Sequence, residues 1–202
     1  MKTTSRILSM VLALVMVFSL SVTAFADSAP TVIVKNGSET IATITDLAVG
    51  DSVADALTDY AEENHIQYKW KPVKDYYDPS VTHQALDSFD NKATRGINKD
   101  STEDMAKAVA GLEKLHYTAE EIAKVVWLTG ANAGYGLIKT GVNDEGKTVY
   151  TYAYAGYAWT YTDANNSEIW DYMCHYFLKD GEVITVSYDF NLTVFDTTNR
   201  IG

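Results

Sequence analysis

The chain has 202 residues, with 27 acidic side chains against 16 basic ones and a formal net charge of −11. A field of that sign repels polyanions, so nucleic acid and anionic lipid surfaces are disfavoured partners. With 47% apolar residues and one cysteine, Cys174, the composition excludes a disordered chain and a disulfide-stapled mini-fold, and the fold must be held by its core.

Residues 1–26 predict a cleavable secretory signal. Lys2 and Arg6 give a basic start, an apolar run covers 7–20, and Ala24-Phe25-Ala26 is a small-residue exit with cleavage expected after Ala26. The run is shorter than the ~20 residues a membrane-spanning helix needs, so no integral span is expected once the signal is removed. Losing Lys2 and Arg6 moves the net charge from −11 to −13. The predicted location is extracellular, and residues 27–202 are expected to form one domain.

In chain order, β-branched runs at 31–34 and 40–44 flank Asn36-Gly37, a dipeptide suited to the positive φ angles of a tight hairpin turn. Val53, Ala56, Leu57, Tyr60 and Ala61 then recur at helical spacing behind Asp51 and Ser52, either of which can cap the free amides. Residues 69–99 show neither a helical nor a strand period and carry Trp70, Tyr76, Tyr77 and Phe89, which predicts a long loop. Met105, Val109 and Leu112 mark a second helix. Thr118 with Glu121 is a capping-box signature opening a third, expected to run through Ile122, Val125 and Val126. Together these make a helical hairpin inside an insertion at about 69–129.

Beyond Gly130 the pattern turns to β. Tyr150, Tyr152 and Tyr154 share one face of a strand over 149–161, while Tyr157, Trp159 and Tyr161 take the opposite parity, which predicts a bulge or bend at Gly156. Asp180-Gly181 is a turn before a closing strand at 183–188, and residues 189–202 are a tail with no assigned element.

Two motifs carry a family resemblance. One is Gly50-Asp51-Ser52-Val53-Ala54-Asp55-Ala56-Leu57. The other joins Ala158-Trp159-Thr160-Tyr161 to Leu178-Lys179-Asp180-Gly181-Glu182-Val183-Ile184. Together they resemble the secreted bacterial β-grasp domains related to the C-terminal domain of transcobalamin. Ala158 stands where that pattern has glycine, and Val186 where an aromatic is common. The resemblance implies an α+β fold with a β-grasp-like mixed sheet on one helix, and a corrinoid-like small molecule among the ligands to be considered.

Tyr157, Trp159, Tyr161, Trp170 and Tyr172 are the candidate ligand-binding residues, because aromatic rings stack on sugars, peptides and flat cofactors. Alternate aromatics in a strand also pack against a helix, so core packing is the competing reading for Trp159 and Trp170. Catalytic signals are weaker. Cys174 adjoins His175, but chain neighbours diverge in helix and strand alike, so a thiol nucleophile would require His65, His83 or His116 from elsewhere. No two histidines have the i, i+4 spacing of a zinc helix, and Asp163, Asn165, Ser167 and Glu168 read as a solvated turn rather than a calcium loop. The expected function is non-catalytic binding, without metal or cofactor, of a small molecule, glycan or peptide. The alternatives are adhesion to a cell-surface partner and an extracellular hydrolase.

Overall fold

The computed structural model describes residues 28–75 and 78–202, so the expected signal segment and Tyr76 and Tyr77 lie outside the described residues. The molecule is α+β and mostly sheet. β1 (Thr31–Asn36) and β2 (Glu39–Ile44) form the expected hairpin, with Asn36 still paired to Glu39 and the positive φ falling on Gly37. Helix α1 (Val53–Glu63) follows, and the Ser52 Oγ accepts from the Asp55 amide at 3.0 Å, satisfying one of the free N–H groups of the first turn. Its buried face comprises Val53, Ala54, Ala56, Leu57 and Ala61, while Tyr60 is only half-buried. Burying Leu57 alone contributes about 1.5–3 kcal/mol by removal from water.

Residues 69–99 are not the irregular loop expected from sequence. β3 (Tyr68–Lys74), β4 (Thr82–Phe89) and β5 (Lys92–Ala93) form a separate three-stranded antiparallel sheet, and β6 (Arg95–Gly96) joins the main sheet, with Arg95 opposite Tyr157 and Gly96 opposite Gly156. The strand period is blurred because the register shifts between Lys69 and Trp70 and because Pro72 sits in β3. In β4 only His83, Leu86 and Phe89 are fully buried, a spacing of three that a period of two does not describe.

Helix α2 (Thr102–Lys114) is capped by Ser101. The Thr118–Glu121 capping box is formed, but it opens a helix of five residues, α3 (Ala119–Ala123). Val126 then lies in β7 (Val126–Trp127), paired with β8 (Tyr135–Val142), and not in the third helix as expected.

The main sheet has the order β2-β1-β10-β9-β8-β7. Its two longest strands are β9 (Thr148–Thr162) and β10 (Val183–Thr197), and β1 runs parallel to β10. The closing strand therefore extends nine residues beyond Tyr188, through most of the tail. Phe190, Leu192 and Val194 supply the alternation that carries it on.

No bulge occurs at Gly156. Its register with Asn191 is continuous with Tyr157↔Phe190 and Ala155↔Leu192, so the two tyrosine sets occupy opposite faces at opposite ends of one continuous strand. Both ends are covered. Trp159 and Tyr161 join α1 and the Leu86 and Phe89 side chains of β4 in the main core, while Tyr152 stacks near Phe195 on the other face. Glycine at 156 serves a close approach, since a Cβ there would stand 2.5 Å from the Arg95 carbonyl oxygen.

Candidate functional site

An open groove of about 510 Å³ lies between the small sheet and the main one. Asp75 and residues 83–86 supply one wall, Trp159 to Tyr161 at the end of β9 the floor, and the loop from Glu168 to His175 the other wall. Its size is in the usual range for small-molecule sites.

Four of the five candidate residues meet here. Trp159 and Tyr161 are 8% and 4% exposed, so they build the floor as core residues. The indole Nε1 of Trp159 donates to the Lys92 carbonyl at 3.0 Å, and the Tyr161 hydroxyl donates to the Asp171 carbonyl at 2.9 Å. Burial pushes the Tyr161 hydroxyl pKa well up, with the nearby Asp171 and Tyr176 adding to it, so it remains a neutral donor. That bond fixes the loop to the sheet. Trp170 is the opposite case, 89% exposed on the groove wall, which rules out core packing for it. Tyr172 is half-buried and stacks on the His83 ring, with centroids 3.9 Å apart and an interplanar angle of 13°.

Tyr157 is not in the groove. It belongs to an ionic cluster further along β9, where Asp104, 3% exposed, receives two bonds from Arg95, at 2.6 and 3.2 Å. The Asn98 amide also donates to Asp104, and the Arg95 guanidinium lies 4.4 Å from the Tyr157 ring centroid. The bonds from Arg95, helped by Asn98 and Tyr157, outweigh burial and hold the Asp104 carboxyl down to about 2. The cluster ties β6, α2 and β9 together, which is a packing role.

Sequence spacing had no means of finding the histidines. His83 on β4 is 6% exposed, and its Nε2 lies 3.0 Å from Asp75 Oδ2. Cys174 and His175 come from the other wall, in a turn closed by the His175 and Tyr176 amides donating to the Tyr172 carbonyl. In that turn the two neighbours do not diverge as they would in a strand or helix, and one ligand atom from each of His83, Cys174 and His175 falls within 4.8 Å of the others. Of the three distant histidines weighed as partners for Cys174, His83 is the one the fold brings near it. The 163–167 turn is closed by Asp163 Oδ1 accepting from the Asn165 and Ser167 amides, as expected of a solvated turn.

Comparison of this chain with family models, curated proteins and solved structures finds no match. Among the described residues no helix is long and apolar enough to cross a membrane.

Proposed function

We propose that this is an exported, non-catalytic binding protein that holds a ring-bearing polar ligand, either a small molecule or a unit of an extracellular polymer, in the groove beneath Trp170. The observation that carries this reading is the placement of Trp170: a tryptophan almost wholly in solvent, on the wall of the groove. An indole has a large apolar face whose exposure is unfavourable until something stacks on it. The fully buried Trp159 and Tyr161 give a firm floor, and Asp75, Glu168 and Asp171 place carboxylates around it. Carboxylates beside an aromatic face suit sugar hydroxyls and cationic or amide groups, and they disfavour anionic ligands.

The β-grasp reading belongs to the same proposal. Its support is the order of hairpin, helix and a last strand lying parallel to the first, with α2, α3 and the small sheet falling within the insertion at about 69–129. The corrinoid-like ligand rests on the motif resemblance, and a groove that is open rather than enclosed also accepts a polymer segment. Export with cleavage after Ala26 would give a secreted chain beginning at Asp27, which N-terminal sequencing of protein from the culture medium tests.

The binding test is a fluorescence titration of the purified protein with hydroxocobalamin, a chito-oligosaccharide and a muramyl peptide. Saturable quenching by one of them supports the reading. No response in fluorescence or calorimetry to any of the three contradicts it.

A further inference from the structure

We propose that His83, Cys174 and His175 form a binding site for a divalent transition-metal ion of the zinc class, with Asp75 as the residue that orients His83. The site goes beyond the ligand-binding reading and does not depend on it, since Trp170 is not among the donors.

Three observations converge. The donor set is two imidazoles and one thiol, each offering one ligand atom within 4.8 Å of the other two. This is a borderline-soft set, which selects zinc or copper over magnesium or calcium. In a tetrahedral site with ordinary Zn–N and Zn–S lengths, ligand atoms stand roughly 3.4–3.6 Å apart, so an ion would draw these three together by about 1 Å. Side-chain rotation at the exposed His175 can supply much of that.

The second observation is His83 itself. Its Nδ1 is shut off from solvent and has no hydrogen-bond partner among the described residues. A buried ring nitrogen left unpaired destabilises the fold, and a metal ion removes that cost. The third is Asp75. Its carboxylate holds Nε2 at 3.0 Å, which fixes the ring and leaves Nδ1 as the nitrogen to take a ligand. A carboxylate on the far nitrogen is the usual support of a metal-bound imidazole, where it raises the basicity of the coordinating nitrogen.

A thiol nucleophile activated by His83 and oriented by Asp75 would use the same first residues. It gives no reason for His175 to converge on the same point, and a metal ion does. Three protein ligands leave a fourth position for water or for a donor atom of a bound molecule, in a wall of the groove that His83 and His175 both line.

The experiment is a Co2+ titration of the purified protein, followed by competition with Zn2+. One equivalent of Co2+ is expected to give a thiolate-to-cobalt charge-transfer band in the near ultraviolet, discharged by one equivalent of Zn2+ and absent from Cys174→Ser. His175→Ala, at an exposed position where folding is not in question, is expected to weaken Co2+ binding at least about tenfold, and Asp75→Ala about 10–100-fold. Absence of the band overturns the proposal. So does an affinity unchanged in both His83→Ala and His175→Ala, which would mean binding by the thiol alone. Rapid alkylation of Cys174 that requires His83 and ignores excess Zn2+ would overturn it in favour of the nucleophile.

Discussion

The Tyr157 hydroxyl donates to Asp104 Oδ1 at 3.2 Å and accepts from the Lys107 ammonium at 2.9 Å, so this tyrosine is occupied by the ionic cluster around the buried Asp104. Asp104 is the only acidic side chain in the core of the described residues. Its carboxyl is held at about 2, chiefly by Arg95, against an ordinary value near 4. A depressed carboxyl pKa stabilises the folded state fully above the unfolded value, and that contribution is lost as pH falls through the folded value. The protein is therefore expected to lose roughly 2 kcal/mol between about pH 4 and pH 2 from this group alone. Urea unfolding midpoints across that range, compared with Asp104→Asn, check it: the variant is less stable at neutral pH and has a shallower acid limb.

Gly156→Ala is expected to destabilise by about 1–3 kcal/mol, because the new methyl group meets the backbone oxygen of Arg95 and neither strand can yield without breaking its pairing. Gly141→Ala, where a Cβ would meet nothing within 4 Å, is the matched control. Its stability should stay within about 0.5 kcal/mol of the parent. Thermal unfolding of the two variants separates the close-approach explanation from a general cost of replacing glycine in a strand.

The end of the chain is held by Tyr152. Its hydroxyl donates to the Ile201 carbonyl and accepts from the Ile201 amide, both at 3.0 Å. Tyr152→Phe removes both bonds and is expected to cost about 1–3 kcal/mol while loosening the last residues. Deletion of residues 199–202 should cost a similar amount and should not add to Tyr152→Phe, because both changes break the same contact. Hydrogen exchange at the Ile201 amide reports the release directly.

The first hairpin and α1 were legible in the chain. Gly37, the Ser52 cap and four of the five apolar positions of α1 obey local rules whose range is one turn, and the structure follows them; Tyr60 is only half-buried. The extension of β10 was missed: Phe190, Leu192 and Val194 keep the period of two, but Asp189 and Asn191 on the opposite face interrupt the apolar run. The small sheet was not legible, since a shifted register and Pro72 removed the period of two from β3. The same holds for β7, whose Val126 continues the helical spacing of α3 and is pulled into a strand by pairing with Leu137.

At the site, the aromatic loop could be picked out by residue type, yet sequence could not sort exposed Trp170 from buried Trp159. That distinction is set by which face β4 covers, a long-range fact: Phe89 meets Trp159 edge-on at 5.9 Å, and nothing comparable covers Trp170 among the described residues. The histidine and cysteine cluster was invisible for the same reason. Between His83 and Cys174 lie the rest of the insertion and strands β8 and β9, and their meeting depends on the small sheet that the sequence did not show.

The central claim is that the groove binds its ligand through Trp170. It is tested most directly by isothermal calorimetry of the parent, Trp170→Ala and Tyr157→Phe against whichever of hydroxocobalamin, the chito-oligosaccharide and the muramyl peptide quenches fluorescence. The expected result is a saturable isotherm for the parent, about a tenfold or greater loss of affinity in Trp170→Ala, and unchanged affinity in Tyr157→Phe. Equal affinity in the parent and in a folded Trp170→Ala would contradict it.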